Sequence, residues 1–236
     1  MEEGKAPAEK PRDLRILVAI PSGGDWKKGF GWSLARMMVH FASLPYDGQK
    51  QIQVTCVGGP LLPENRRRLV SQAYEMEATH MLWLDDDMKF PPDTLAILLN
   101  HNLPVVACNY PRKNFLDAKP TAYADFADYT GPVWTGQRSE GLQQVTAAGM
   151  GIMLTDMAVF ENIPPPIFCF EPQPPDFVAD SGEDVYFCRE LHKLDIPIFI
   201  DHDLSKKVAH IGDFEFTNML AKEAEVVRQA LYKDLA

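Results

Sequence analysis

HMLWLDDDMKFPPDTL, residues 80–95, joins a short apolar segment to an acidic cluster and a proline pair. The segment His80–Leu84 is apolar on both faces of an extended chain, which is typical of a parallel strand covered by helices on each side. Three aspartates follow at once, at 85–87. The prolines at 91 and 92 suit the first turn of a helix, which we predict over residues 93–100. This segment therefore predicts a buried strand, an acidic turn and a helix.

The same alternation of strand and helix surrounds this segment. Further predictions are strands at 15–20, 52–57 and 104–108, and helices at 31–43 and 64–77. Such alternation predicts an α/β fold with a Rossmann-like, mostly parallel central sheet flanked by helices. Ligands of these sheets gather outside the carboxyl ends of the strands, which brings Pro21, Asp85 and Tyr110 together.

The alternation lapses after residue 108, where a more irregular and more antiparallel region is expected. The predicted elements there are strands at 121–126, 142–146, 149–154, 197–200 and 206–209, and helices at 181–192 and 216–235. The charged residues 1–12 are expected to be a disordered tail. We expect residues 13–236 to form one domain, with halves at about 13–108 and 109–236.

Composition excludes several classes of protein. The 236 residues are 46% hydrophobic and 24% charged, which is typical of a globular protein and excludes collagen and coiled coil. Lys and Arg number 23 against 33 Asp and Glu, so the net charge of −10 disfavours broad binding to nucleic acid or anionic membranes. Four scattered cysteines form no CxxC pair and are expected to be mostly buried, reduced thiols. No apolar run reaches membrane-spanning length, so we expect a cytoplasmic protein without a membrane anchor.

The aspartate cluster points to a cation. In an extended chain Asp85 and Asp87 share one face while Asp86 points away. Carboxylate oxygens suit Mg²⁺ or Mn²⁺, which keep one or two protein carboxylates and take further ligands from phosphates and water. A solvated turn that caps the strand explains an isolated triplet equally well. The glycines form neither GxGxxG nor a P-loop, and GxSxG is absent, so dinucleotide-binding, P-loop and serine-hydrolase chemistry lack support.

The residues around the aspartates resemble the DxD-containing segment of glycosyltransferases with the GT-A fold, in particular family 2. Other segments resemble the same family in the same order: ILVAIP its opening strand and nucleotide-contacting turn, ENRRRLVSQA the helix with an Asn–Arg pair, and NYPRK a segment lining the donor sugar. AAGMGIML is similar to its acceptor-side strand, GEDVYFCREL to its late acidic motif, and KKVAHIG to its terminal histidine motif. The resemblance covers nearly the whole chain and implies a GT-A-like domain with a nucleotide-binding half and an acceptor half.

The resemblance assigns the metal ligands. It implies that Asp87 is the carboxylate ligand, that Asp85 supports the metal or contacts ribose, and that His210 is a further ligand. The residues alone leave His192 and His202 as competitors, and a lone histidine after an apolar strand is more often structural. An imidazole ligand is better tolerated by Mn²⁺ than by Mg²⁺, so Mn²⁺ is the favoured cofactor and Mg²⁺ the alternative.

The resemblance also assigns residues to the nucleotide sugar. These are Pro21, Asn65, Arg66, Asp85, Asp86, Tyr110 and Gly149. Arg66 is expected to hold a donor phosphate through its guanidinium fork, with a solvated helix face as the alternative. The lysines at 27, 28 and 113 are compatible with phosphate binding, and Trp134 with stacking on a sugar.

Glu183 and Asp184 lie at the start of the predicted helix 181–192, for which Ser181 is the expected N-cap. Helix capping alone is one interpretation of these two carboxylates. The resemblance implies instead that one of them, with Asp184 preferred, takes the proton of the acceptor hydroxyl as a general base. A helix N-terminus lowers the pKa of a carboxylate, so such a base would depend on its position more than on high basicity.

These observations predict a metal-dependent glycosyltransferase, of the hexosyl- or pentosyltransferase type. Its donor is expected to be a nucleoside-diphosphate sugar, with a UDP-sugar favoured. The acceptor hydroxyl is unidentified and belongs to a glycan, a small molecule, a protein or a modified base in nucleic acid, the last disfavoured by charge. Two alternatives stay open: a nucleotidyltransferase acting on a sugar phosphate, and a catalytically silent module that binds a nucleotide sugar.

Overall fold

The computed structural model describes residues 13–114, 118–125, 131–173, 178–179, 182–212 and 215–233. The expected tail at 1–12 and the expected cap Ser181 lie outside these residues. Within them the helices are α1 (Lys28–Ser43), α2 (Leu62–Glu75), α3 (Thr94–Asn100), α4 (Glu183–Lys193), α5 (His202–Ser205), α6 (Asn218–Lys233) and the 3₁₀ helix Met157–Glu161.

The strands form a central sheet and two small sheets. The central sheet contains β1 (Leu14–Ser22), β2 (Lys50–Gly58), β3 (His80–Leu84), β5 (Val105–Ala107), β6 (Leu142–Val145), β7 (Ile152–Asp156) and β10 (Ile198–Asp201). The small sheets contain β4 (Met88–Lys89), β11 (Ala209–Ile211) and β12 (Glu215–Phe216), and β8 (Pro172–Gln173) with β9 (Val178–Ala179). In the central sheet the order is β2-β1-β3-β7-β5-β10-β6.

One end of the central sheet is parallel, as the sequence predicts. β1 pairs in parallel with β2 on one side and with β3 on the other. Residues 16–20 of β1 are fully buried because helices cover both faces of the sheet. The three strands therefore end at one edge, where Ser22, Gly58 and Leu84 lie. The α/β class is confirmed, and the parallel end is consistent with a Rossmann-like fold.

The other end of the sheet departs from the predicted parallel order. β7 lies between β3 and β5 and is antiparallel to both, so the sheet is mixed rather than mostly parallel. β10 is parallel to β5, and β6 pairs antiparallel with β10. A short apolar strand has the same pattern in either direction, which is why the order along the chain did not reveal the insertion. The antiparallel direction brings residues just before β7 to the edge where β3 ends.

The core consists of two layers, one on each face of the sheet. Alternation along β1 places Leu17 and Ala19 in one layer and Val18 and Ile20 in the other. Trp83 lies in the first layer and is fully buried, as predicted. The four cysteines are unpaired; two are buried, one is half-buried and one is exposed.

The sheet formed by β4, β11 and β12 carries the chain back to the acidic turn. His210 of β11 pairs with Met88 of β4, directly after the aspartates. The strand predicted at 206–209 begins instead at Ala209, because residues before it complete the turn of α5. Within the described part of 121–126 there is no strand, only isolated bridges of Tyr123. In the described residues no helix combines the length and apolarity needed to cross a membrane.

Candidate functional site

A cavity of about 700 Å³ opens at the edge where β1, β2 and β3 end. Seven residues singled out from the sequence line it: Pro21, Asn65, Asp85, Asp86, Asp87, Lys113 and His210. Five others share the lining: Ser22, Gly23, Gly59, Pro60 and Leu62. These residues come from β1, the loop after β2, α2, the acidic turn and β11, so the fold assembles the cavity from segments distant in sequence.

The three aspartates occupy a tight turn and not an extended segment. The Met88 amide donates to the Asp85 carbonyl at 3.2 Å. The backbone carbonyls of Asp86 and Asp87 accept from Lys27 at 3.1 Å and from Ile211 at 2.7 Å. Because the chain turns here, Asp86 also lines the cavity, which corrects the expectation that it points away.

Asp86 interacts with the end of β1. Its Oδ2 accepts a hydrogen bond of 2.5 Å from the Ser22 hydroxyl, and Ser22 is buried. A hydrogen bond from a hydroxyl to a carboxylate is short and strong when it is shielded from water. This contact fixes the first strand to the acidic turn.

Asp87 lies between two basic side chains. Its Oδ2 accepts from Lys113 Nζ, and its Oδ1 lies 3.2 Å from His210 Nε2 in an ion-pair contact. Oδ1 is buried and has no partner within hydrogen-bond geometry. Burial acts to raise the pKa of Asp87, but His210 and Lys113 outweigh it, so the pKa is lowered. Asp87 is therefore held as a carboxylate.

His210 is oriented through its other ring nitrogen. Its Nδ1 lies 3.1 Å from the Pro111 carbonyl, and its ring meets Tyr110 edge-on at 5.3 Å. A hydrogen bond from Nδ1 to this carbonyl fixes the orientation of the ring and keeps Nε2 next to Asp87. His202, a competitor in the sequence, has its two ring nitrogens occupied by Thr135 and Gln143.

Asp85 lines the cavity and pairs with an arginine that is buried behind it. Arg66 Nη2 lies 3.3 Å from Asp85 Oδ1, and Arg66 Nε donates to Glu183 Oε1 at 2.8 Å. Arg66 is only 2% exposed and stacks over Trp83 at 5.5 Å, while its Nη1 is buried without a partner. Burial raises the pKa of Asp85 more than Arg66 lowers it. Arg66 thus holds carboxylates together and does not itself line the cavity.

Asn65 reaches the cavity from the first turns of α2. Its Nδ2 donates to the Gly59 carbonyl at 3.0 Å. Gly59 has a φ of +153°, and a Cβ there would lie 3.0 Å from Asn65 Oδ1. The loop after β2 therefore requires glycine at this position.

Tyr110 and two glycines form a close-packed cluster next to Asp85. The Gly151 amide donates to Tyr110 Oη at 2.7 Å, and the Asp85 amide donates to the Gly151 carbonyl at 3.0 Å. A Cβ at Gly149 or Gly151 would lie 2.6 or 2.5 Å from Tyr110 Oη. Burial, with Asp85 nearby, raises the pKa of Tyr110 well above its usual range. Tyr110 and Gly149 thus support the cavity from behind.

Asp184 lies at the start of α4, one residue after Glu183, and is half-buried. Its Oδ1 accepts from the Val185 amide at 2.8 Å. Burial, with the negative charge of Glu183, raises the pKa of Asp184 to about 6, although Arg66 and the amide act to lower it. The shift is opposite to the one expected from the helix N-terminus, because burial outweighs the dipole.

No protein-family model matches the sequence, and no curated protein matches it. Among solved structures, the crystal structure of A197 from STIV matches with a TM-score of 0.55 and 20% sequence identity, over 85% of this chain and 87% of that chain. The two chains share a fold. At this identity the likeness concerns the fold alone.

The acidic turn offers few donor atoms to a cation. The orphaned Oδ1 of Asp87 and the Nε2 of His210 face each other, which supplies one oxygen and one nitrogen donor. Asp85 is engaged by Arg66. Among the described residues no group of three or more His, Cys, Asp or Glu side chains is arranged to hold a metal. The described residues therefore offer a cation this one pair of donor atoms, and its other ligands would have to come from phosphates and water.

Three residues in or beside the cavity were not assigned to the site from the sequence, and one residue that was suggested lies elsewhere. Ser22 and Gly151 carried no signal beyond their places beside a strand. Lys113 looked like an ordinary loop lysine because nothing in the sequence pairs it with Asp87. Trp134, named as a sugar platform, does not line the cavity.

Proposed function

We propose that the protein is a metal-dependent glycosyltransferase that uses a nucleoside-diphosphate sugar, with a GT-A-like arrangement of its nucleotide-binding strands. The observation that carries the proposal is the cavity at the ends of β1, β2 and β3, where three aspartates, Asn65 and His210 meet. These side chains come from three segments that resemble GT-A motifs in the sequence. An isolated solvated turn would not need these segments to converge.

Asp87 and His210 are the proposed metal-holding residues. The Asp87 carboxylate supplies Oδ1, and His210 supplies Nε2 because its Nδ1 is engaged by Pro111. A mixed oxygen and nitrogen pair favours Mn²⁺, with Mg²⁺ as the alternative. When bound, such a cation neutralises the charge that develops on the leaving diphosphate.

The donor is proposed to bind along the edge of the sheet. Pro21 and Asn65 line the side of the cavity formed by β1 and α2. Asp85 and Asp86 are acceptors for ribose hydroxyls, and a UDP-sugar is the favoured donor. Asp86 is already held in place at the cavity by its hydrogen bond from Ser22.

Asp184 is the preferred general base. Arg66 occupies Glu183 at 2.8 Å, which leaves Glu183 a structural partner of the guanidinium. Asp184 has a pKa of about 6, so it is largely ionised at neutral pH and still basic enough to take a proton. In the proposed reaction the acceptor oxygen bonds to the anomeric carbon, the bond from that carbon to the diphosphate breaks, and Asp184 receives the hydroxyl proton.

The test is a panel of nucleoside-diphosphate sugars incubated with the protein, with and without Mn²⁺, while nucleoside diphosphate release is measured. We expect release with at least one donor, dependent on the cation and lost in Asp87→Ala. The control is Asp47→Ala, an exposed aspartate outside the cavity, which should retain full activity. Both variants should keep the wild-type circular dichroism spectrum.

Other outcomes of this assay would indicate a different function. Pyrophosphate release from a nucleoside triphosphate and a sugar phosphate would indicate nucleotidyl transfer. Donor binding without release of any product would indicate a silent binding module. Unchanged sugar transfer by Asp87→Ala would contradict the metal-holding role of this residue.

A further inference from the structure

Lys113 interacts with the residue proposed to hold the cation. Its ammonium donates to Asp87 Oδ2, while Oδ1 of the same carboxylate faces His210. Lys113 also lines the cavity. One carboxylate therefore has one oxygen bound to a lysine and the other buried without a hydrogen-bond partner.

The backbone next to Lys113 forms a hydrogen bond, and the Lys113 side chain is partly exposed. The neighbouring Arg112 amide donates to the Lys119 carbonyl at 2.9 Å. The Lys113 stem passes Gly212, where an added Cβ would lie 3.5 Å from Lys113 Cδ. Its side chain is 36% exposed, against 15% for Asp87. A flexible four-carbon stem allows the ammonium to move within the cavity.

The charges of the cavity wall connect this movement of the ammonium to the binding of a diphosphate. Among the described lining residues, three aspartates face a single lysine, together with His210. Such a wall repels a diphosphate until a cation is added. A divalent cation on Asp87 Oδ1 and the Lys113 ammonium on Oδ2 repel each other, so each weakens the binding of the other to this carboxylate. Once displaced, the ammonium lies in the same cavity as the phosphates that accompany the cation.

We infer that Lys113 is a resident counter-ion that couples cation binding to diphosphate binding at this site. It neutralises Asp87 until a divalent cation replaces it, and then it binds a phosphate oxygen of the diphosphate. This inference rests on the proposed function and concerns the regulation of the same site. Its consequence is that the cation binds weakly alone and tightly together with a diphosphate.

The experiment compares wild type with Lys113→Met, which keeps the length of the stem and removes the charge. Mn²⁺ binding is measured alone by electron paramagnetic resonance, and pyrophosphate binding at saturating Mn²⁺ by calorimetry. Lys89→Met is the matched control, because Lys89 pairs with Glu215 on the surface, two residues from Asp87, and does not line the cavity. Thermal melts verify that all variants fold.

Lys113→Met should bind Mn²⁺ alone about tenfold more tightly than wild type and pyrophosphate about tenfold more weakly, since one charge-assisted hydrogen bond is gained or lost in each case. Lys89→Met should change neither affinity more than about twofold. Equal or weaker Mn²⁺ binding by Lys113→Met, unchanged pyrophosphate affinity, or a wild-type protein that binds no Mn²⁺ would overturn the inference. The two opposite shifts without turnover of any nucleotide sugar would support the coupling and count against glycosyl transfer.

Discussion

Asp184→Asn is expected to stabilise the protein at neutral pH while it removes the proposed base. The Asp184 carboxyl has an ordinary pKa of 3.8, and burial beside Glu183 raises it to about 6 in the folded protein. At about 1.4 kcal/mol for each tenfold change in proton affinity, keeping this group ionised costs the folded state about 3 kcal/mol. The asparagine variant avoids this cost, and its amide oxygen can still accept from the Val185 amide.

The sign of the pH dependence follows from the raised pKa. The folded protein holds the Asp184 proton more tightly than the unfolded chain does. The stability that protonated Asp184 contributes is therefore fully present below pH 3.8 and is lost as the pH rises through about 6. The advantage of Asp184→Asn should therefore be about 3 kcal/mol at pH 7.5 and about half of that at pH 5.0. For a chain of this size, the difference at pH 7.5 corresponds to about 6–12 °C in melting temperature.

Urea unfolding at both pH values measures this difference. Asp203→Asn is the matched control: its carboxylate lies at the surface, where Lys206 and the Gly141 amide lower its pKa, so asparagine should bring no gain at pH 7.5. An Asp184→Asn variant no more stable than wild type at pH 7.5, or with an equal advantage at both pH values, would refute the reasoning.

Turnover by the wild type should fall as the pH drops through about 6, because the base becomes protonated.

Two further substitutions test the packing behind the cavity. Gly151→Ala places a Cβ 2.5 Å from Tyr110 Oη and should lower the free energy of unfolding by about 1–3 kcal/mol; a wild-type melting temperature would contradict the close packing. Arg66→Met leaves Glu183 buried without its partner and should cost about 3–5 kcal/mol in urea unfolding, part of which Glu183→Gln should restore. Arg68→Met, whose side chain is 60% exposed, should cost about 0–1 kcal/mol, and equal losses for the two arginines would refute the distinction.

The sequence predicts the parallel part of the fold well because burial on both faces leaves a clear pattern. Residues 80–84 form a strand with the predicted bounds, and Lys28–Ser43 contains the whole helix predicted at 31–43. β7 was predicted as a strand, but its position between β3 and β5 was not. Strand order depends on contacts between distant segments, and an apolar run such as residues 152–154 fits several neighbours equally well.

Site residues that belong to a sequence motif could be predicted, whereas residues whose role depends on tertiary contacts could not. Asp87 and His210 were paired through their resemblance to two distant motifs, and the structure brings them within 3.2 Å. The part played by Arg66 could not be foreseen, because a surface helix with three consecutive arginines does not reveal which one is buried. Only the packing of Trp83 and the position of Glu183 decide that.

The buried guanidinium of Arg66 links the two halves of the proposed site. A charged group that is 2% exposed is tolerable only with partners, and these are Asp85 at the end of β3 and Glu183 at the start of α4. The start of α4 is therefore linked through Arg66 to Asp85, which lines the cavity, and is held by apolar packing as well. Because Asp184 follows Glu183 directly, its distance from the acidic turn is set by the same contacts. Weakening the Arg66–Glu183 pair should consequently displace the proposed base relative to the donor before it unfolds the protein.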